Sequence, residues 1–291
     1  MNAYVIWCGL FVLTTLGCSS RPTENLQEDV TYQKCDLDSA YRQRQFETVI
    51  ACCNHRLAVD SNDIDALEYL ALSYYLLGKH DLELLALNKL IALCPCPNKG
   101  HKNFEYSNYL IKRSAIKGQQ GQLEEAFKDI DLAISMDSSS AIKAQGFIAK
   151  AIVLSYTQDK TRAVMYLDSA LIYDNSSHYA YWLRSVAKRV AGAYDEALTD
   201  ADNAIRLEPK EAMYYSAKGD ILFEKLDFDG AIESYTAAKN LKPSDALYHY
   251  KLALVHNRIG KNLTACEFYR KSVDLGGKKD AFLDDLCKIF K

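Results

Sequence analysis

A period of 34 residues restricts the fold of this 291-residue chain more than any other feature of its sequence. Small residues recur at that interval in one series, at Ala163, Ala197, Ala231 and Ala265. A second series follows seven residues later, at Ala170, Ala204, Ala238 and Ser272. Seven residues make about two helical turns. Both series therefore lie on one helix face, where small side chains let a neighbouring helix approach closely.

Glycine and proline mark the ends of these predicted helices. Pro209 and Pro243 are also 34 residues apart, and each follows an apolar helical pattern, where proline ends a helix. Gly121, Gly192 and Gly260 lie between paired helices, where glycine adopts a left-handed turn without steric hindrance. Only 5 Pro and 13 Gly occur in the whole chain, which favours long helices. The sequence predicts an all-α fold of helical hairpins.

The segment from Ala212 to Ala246 resembles the tetratricopeptide repeat (TPR) consensus over its full length. The matching residues are Gly219, Phe228, Ala231, Tyr235, Ala238 and Pro243. The resemblance implies a TPR α-solenoid, a superhelix of antiparallel helix pairs. We expect about seven units over residues 30–277, starting near residues 30, 64, 107, 144, 178, 212 and 246.

Two further segments complete the predicted solenoid. About nine extra residues, 96–104, precede the third unit and are predicted to form a loop. Residues 278–291 are predicted to form a capping helix, because solenoids need a terminator over the last stacking face. Its apolar stripe is expected to comprise Phe282, Leu286, Ile289 and Phe290.

In TPR proteins the first helices of the pairs line a concave groove that holds a partner peptide or helix. On the family's geometry, the groove side chains are expected to be Tyr41, Tyr75, Ile111, Ile148, Ile152, Tyr156, Trp182, Arg189, Phe223 and Tyr250. Most are aromatic or aliphatic, which suits an amphipathic helix or hydrophobic segment of a protein partner. About half of them are expected to serve packing between helices instead.

The chaperone-binding branch of the family holds a terminal carboxylate with a Lys and Asn clamp. Lys34 occupies one of the clamp positions, but Asp38 replaces the asparagine and would repel a carboxylate. We therefore exclude that class of ligand.

The first twenty residues contain no charged side chain, and the run from Ala3 to Leu16 is too short to span a membrane comfortably. The run ends in Gly17-Cys18 and resembles a bacterial lipoprotein signal peptide. The resemblance implies a signal peptide at residues 1–17, a lipid on Cys18 and a tether over residues 18–29. It predicts a lipid-anchored protein of the bacterial cell envelope, at the outer membrane or the periplasmic face. An uncleaved N-terminal anchor or an apolar leader on a soluble protein stays open.

Charge and motifs argue against several functions. The chain has 35 Lys and Arg against 38 Asp and Glu, so its net charge does not indicate binding to the phosphate backbone of a nucleic acid. No phosphate loop, metalloprotease helix or nucleophile elbow occurs, so we predict no catalytic residue and no cofactor.

The cysteines do not have the spacing of a metal site. Removal of the signal and lipidation of Cys18 leave seven of the nine cysteines. In an exported chain disulfides are allowed and at least one thiol stays free, or the compartment keeps all seven reduced. Five lie in the N-terminal third with His55 and His101, but Cys94-Pro95-Cys96 lacks the two-residue gap of a zinc knuckle. Buried thiols or one disulfide are expected there.

Two functions follow. The first is a lipid-anchored adaptor that organises an envelope complex through its groove. The alternative is a glycan-binding surface lipoprotein on a helical-repeat scaffold. An adaptor should have its exposed aromatic residues along the concave face, whereas a glycan binder should cluster them in a loop.

Overall fold

The structure is a computed structural model that describes residues 36–93, 102–157 and 159–290. The predicted signal peptide, Cys18, the tether and Lys34 lie outside these residues, as does most of the predicted loop before the third unit. Every helix or strand that the structure describes in these ranges is an α-helix, which confirms the all-α prediction.

The described helices fall into two compact units. The first unit contains four helices, α1 (Leu37–Arg42), α2 (Phe46–Val59), α3 (Ile64–Leu76) and α4 (His80–Leu93). Its core includes the fully buried Val49 and Cys53 of α2 together with Leu87 and Leu90 of α4. Cys53 is a free thiol, and burial raises its pKa to about 12. Its neighbour Cys52 is disulfide-bonded.

The second unit contains five hairpins and a terminal helix. Its helices are α5 (Lys102–Gln119), α6 (Leu123–Met136), α7 (Ser140–Ser155), α8 (Lys160–Tyr173), α9 (His178–Val190), α10 (Tyr194–Leu207), α11 (Ala212–Glu224), α12 (Phe228–Leu241), α13 (Ala246–Arg258), α14 (Asn262–Asp274) and α15 (Ala281–Ile289). Helix α5 begins at Lys102, so the predicted loop does not reach residue 104. Phe104 continues a helical stripe with the buried Ser107 and Ile111, which extends the helix by about one turn.

The turns inside the hairpins use the left-handed conformation. Gly121, Gly192 and Gly260 have φ values of 78°, 80° and 76°, as their positions predicted. Leu226 lies 34 residues from both Gly192 and Gly260, and its φ is 65°. A residue with a Cβ is strained in this conformation. The turn at Leu226 therefore has the same geometry as the glycine turns, although glycine would suit it better.

Leu226→Gly is expected to raise the free energy of unfolding by about 1 kcal/mol, since glycine removes the strain and the leucine side chain is exposed. Gly192→Ala should lower it by about 1 kcal/mol, because a Cβ there meets no atom within 4 Å and only the backbone is strained. Urea unfolding followed by circular dichroism measures both. A loss of stability in Leu226→Gly would show that packing of the leucine side chain stabilises the fold by more than the strain of its backbone destabilises it.

Helix α15 caps the last hairpin. Leu283 and Cys287 pack into a core cluster with Ala253, Cys266 and Tyr269. The predicted stripe was therefore wrong in part: Leu286 and Phe290 are half-buried against this cluster, but Phe282 and Ile289 are exposed. The face of α15 that packs inward carries Leu283 and Cys287, and a disulfide joins Cys287 to Cys266 of α14, with Cα atoms 5.3 Å apart.

Removing this disulfide with Cys266→Ala and Cys287→Ala is expected to destabilise the attachment of α15 by about 3 kcal/mol, because the bond closes a loop of 21 residues. Amide hydrogen exchange should show lost protection in α15 and unchanged protection in α9–α12. The reduced wild-type chain serves as a control that keeps both side chains. Equal protection of α15 in all three samples would mean that packing alone holds the cap.

Candidate partner-binding face

The first helices of the five hairpins in the second unit form the candidate binding face. These are α5, α7, α9, α11 and α13, and we call their shared surface the first-helix face. Two neighbouring pairs of these helices contact each other directly, α5 with α7 and α9 with α11. An elongated ligand could therefore cross several helices that belong to different repeats.

Four of the predicted groove residues contribute mainly to the core. Ile111, Ile148, Ile152 and Trp182 are all buried. The Trp182 ring lies 6.2 Å from the ring of Tyr214, as measured between centroids, so it packs against α11. These side chains pack beneath the accessible surface of the first-helix face and offer a ligand little contact area.

The predicted groove residues of the first unit also make ring contacts within the fold. Tyr41 is half-buried, and its ring centroid lies 5.8 Å from those of both Phe46 and Tyr69. Tyr75 is half-buried beside His80. A role for either in binding stays a prediction.

The accessible part of the first-helix face is apolar at the ends of α7 and α9. Tyr156 and Val190 are 34 residues apart and occupy corresponding positions where these helices end. They are 37% and 53% exposed. Of the predicted groove residues in the second unit, Tyr156 is the most accessible, whereas Arg189, Phe223 and Tyr250 are half-buried. Val190 was missed, although its spacing from Tyr156 was readable in the sequence.

Two ion pairs join neighbouring first helices on this face. Arg189 of α9 forms a salt bridge with Glu224 of α11. Asp220 of α11 pairs with Lys251 of α13 and accepts a hydrogen bond from the Tyr235 hydroxyl at 2.7 Å. Among these groups only Arg189 was predicted from the sequence, because the pairing depends on how adjacent repeats stack.

Tyr250 connects α13 to the start of the cap. Its hydroxyl donates a hydrogen bond to an Asp280 carboxylate oxygen at 2.8 Å. Burial, this hydrogen bond and the charge of Asp280 raise the pKa of Tyr250 to about 12. The same bond is the main reason why the pKa of Asp280 is lowered. Tyr250 therefore stays a protonated donor at neutral pH, and its hydroxyl is already used within the fold.

Two buried aspartates on second helices form ion pairs with the first helices α9 and α5. Asp200 of α10 is 2% exposed and accepts two hydrogen bonds from the Arg184 guanidinium, at 2.9 and 2.6 Å. Lys188 Nζ lies 3.0 Å from the same carboxylate. Asp129 of α6 binds Arg113 and Lys117 in the same way. Because a buried carboxylate must be paired, each cluster determines how its first helix lies against its second helix.

A second set of ion pairs joins one hairpin to the preceding one. Lys150, Arg184 and Lys218 occupy corresponding positions in consecutive first helices. Each contacts an aspartate of the preceding second helix, in the pairs Lys150–Asp131, Arg184–Asp168 and Lys218–Asp202, at 2.6, 2.7 and 2.7 Å. The first-helix face therefore rests on a repeated electrostatic contact that orients successive hairpins.

Neither a metal site nor a membrane-spanning helix is found in the described residues. Within residues 36–93, 102–157 and 159–290, no three His, Cys, Asp or Glu side chains are grouped so that they could hold a metal ion. No helix in the part of the chain that the structure describes is both long and apolar enough to cross a membrane.

The fold and this face define a helical-repeat α-solenoid with a capping helix. The family model of the TPR repeat matches residues 219–260, which confirms a TPR repeat in that part of the chain.

Comparison with known proteins gives the same fold. The TPR repeat-containing protein MJ1428 of Methanocaldococcus jannaschii is 27% identical over 135 residues, which cover 46% of this chain and 24% of the relative. The Hsp70-Hsp90 organizing protein of Triticum aestivum is 22% identical over 236 residues, which cover 72% of this chain and 40% of the relative. The chain thus spans less than half the length of these relatives.

A solved tetratricopeptide repeat protein from Parabacteroides merdae superposes with a TM-score of 0.63 at 13% identity, and covers 87% of this chain and 95% of the other. At this identity the likeness establishes the fold alone.

Asp200→Asn is expected to lower the free energy of unfolding by about 3 kcal/mol, because it leaves two half-buried cations, Arg184 and Lys188, beside a neutral amide. Asp285→Asn, which breaks the exposed pair with Lys288, should lower it much less, because solvent screens that pair. Denaturant unfolding compares the two. Adding Lys188→Met to Asp200→Asn should restore part of the loss, and equal losses in the two single variants would contradict the structural role of Asp200.

Proposed function

We propose that this chain is a non-catalytic interaction scaffold that binds a peptide or helix of a protein partner on its first-helix face. The observation that carries the proposal is the pairing of Arg189, Asp220, Glu224 and Lys251 within the chain, beside the exposed apolar Tyr156 and Val190. Charges that are satisfied internally attract a charged ligand weakly. The apolar positions instead favour burial against another apolar surface, at about 25 cal/mol per Å².

The partner we propose is an amphipathic helix or a hydrophobic segment. Such a segment gains affinity from a few apolar anchors, and the ends of α7 and α9 offer positions for them. A terminal carboxylate is a poor ligand for the first unit, because the Asp38 carboxylate stands there and pairs with Arg42 at 2.6 Å.

We further propose that the chain is exported and anchored through a lipid on Cys18 at a bacterial envelope membrane. The proposal rests on the signal-like sequence of residues 1–18 and is supported by disulfide bonding. Disulfides persist in oxidising compartments and are rare in the cytosol. The structure joins Cys266 to Cys287 and has Cys52 in a disulfide as well.

The glycan-binding alternative lacks a supporting observation in the described residues. The exposed aromatic residues there are Tyr156, Tyr173 and Phe282. They belong to α8, to α15 and to the end of α7, and are not gathered in a loop. We therefore favour the protein-binding scaffold.

The test is a crosslinking pull-down from native membranes with the full chain and with a Tyr156→Glu, Val190→Glu variant. We expect recovery of a discrete partner protein to fall at least about tenfold in the variant, because two charges would have to be buried against an apolar ligand. Helical circular dichroism checks that the variant is folded. Unchanged recovery would exclude the first-helix face as the binding surface.

Two controls separate the parts of the proposal. Leu132→Glu changes an exposed apolar side chain on the second helix α6 and should leave partner recovery unchanged. Cys18→Ala should release the chain from the membrane fraction and leave binding to the purified partner intact. Membrane retention of the Cys18→Ala chain would contradict lipid anchoring without affecting the proposed binding face.

A further inference from the structure

The second helices of the five hairpins in the second unit carry two outward positions that can be compared between repeats. The first position is occupied by Lys128, Met165, Thr199, Glu233 and Glu267. The second, seven residues later, is occupied by Ser135, Ile172, Arg206, Asn240 and Asp274. All ten are exposed, and only the two on α8 are hydrophobic. The neighbouring repeats thus show that the fold itself requires no apolar residue here.

Met165 and Ile172 lie on one side of α8 and are 61% and 80% exposed. They are separated by two turns, about 10.5 Å along the helix axis. Ser169 lies between them, and its hydroxyl donates to the Met165 carbonyl oxygen at 3.0 Å. Burial of Ser169 would therefore leave no hydroxyl donor unpaired, and its small side chain lets another helix approach closely. We call Met165, Ser169 and Ile172 the α8 stripe.

We propose that the α8 stripe is the contact between two copies of this chain, which pack α8 against α8 in antiparallel orientation. A two-fold axis beside Ser169 places Met165 of one copy against Ile172 of the second copy, and the reverse contact follows by symmetry. The stripe is complementary to itself because large apolar groups flank a small residue on both sides. Nothing in this contact depends on the first-helix face.

The charges at the two ends of α8 favour the same arrangement. Arg162 stands one turn before Met165 and is exposed, and its guanidinium lies 3.4 Å from Asp159 and 5.7 Å from the ring centroid of Phe127. Asp174 is the C-cap of α8. Antiparallel packing brings Arg162 of one copy beside Asp174 and the negative C-terminal end of α8 in the second copy. A parallel packing would instead place the two Arg162 side chains together.

The contact is small. Two apolar anchors per copy bury well below the about 800 Å² per partner of a standard interface. We therefore expect a weak dimer, with a dissociation constant on the order of 0.1 mM.

Thiol crosslinking of the full chain tests the contact. Ser169→Cys places a thiol at the proposed two-fold axis, and Asn203→Cys places one at the corresponding position of α10. The two sites are matched, since Asn203 also bonds the carbonyl oxygen four residues before it. With a short bismaleimide at about 0.1 mM chain, we expect at least about fivefold more crosslinked dimer from Ser169→Cys than from Asn203→Cys.

A second variant, Ile172→Glu added to Ser169→Cys, should reduce the crosslinked dimer at least about tenfold, because it brings two carboxylates into the apolar contact. Residue 172 is exposed, so circular dichroism should show an unchanged fold. Equal crosslinking of Ser169→Cys and Asn203→Cys, or a dimer that persists with Ile172→Glu, overturns the proposal. Crosslinking of Ser169→Cys to a different protein in place of a second copy also overturns it.

Discussion

Close packing of small residues between helices is the contact on which the other features of this fold depend. The alanines of the 34-residue series, from Ala163 through Ala265, are almost completely buried. Where a larger neighbour faces the seam, even a methyl group is excluded: a Cβ on Gly219 would lie 2.5 Å from Cε1 of Tyr235. Helix axes that approach this closely leave little freedom in how successive hairpins stack. The stacking of the hairpins determines the positions of the first-helix face, the ion pairs and the capping helix α15.

Buried charge then determines the orientation that apolar packing leaves open. Small alanine side chains at a helix–helix contact determine the distance between the two helices better than the rotation of one helix against the other. Asp129 and Asp200 each hold two cations of a first helix, and their bidentate bonds to arginine have a defined geometry. The cost of burying these aspartates is offset only in the native arrangement, which makes the clusters a device for specificity more than for stability. The repeated pairs to the preceding hairpin extend the same constraint along the second unit.

The two sides of the second unit consequently have different roles. The first-helix face has two ion pairs between neighbouring helices, Arg189–Glu224 and Lys251–Asp220, and exposes apolar residues at the ends of α7 and α9. This arrangement suits a ligand that crosses several repeats. The outer side is polar at corresponding positions of α6, α10, α12 and α14, and apolar at α8 alone among these second helices. Internal repeats make such an exception meaningful, because the equivalent positions experience nearly the same environment. At the last hairpin, the disulfide of Cys266 and Cys287 keeps the stacking face covered.

The sequence by itself determined the helical class, the 34-residue repeat and the glycine turns, because these follow from local spacing and backbone preference. It also indicated a capping helix, but not which side of it faces inward, since Phe282 and Leu283 are adjacent in the sequence and the choice depends on packing against Ala253, Cys266 and Tyr269. The tertiary structure decided which predicted groove residues are accessible: Trp182 and Ile152 are buried, whereas Tyr156 is not. It also decided the partners of Arg189, Asp220 and Asp200. These outcomes depend on contacts between residues 12 to 35 positions apart. Local periodicity carries no information about such contacts until the hairpins are packed.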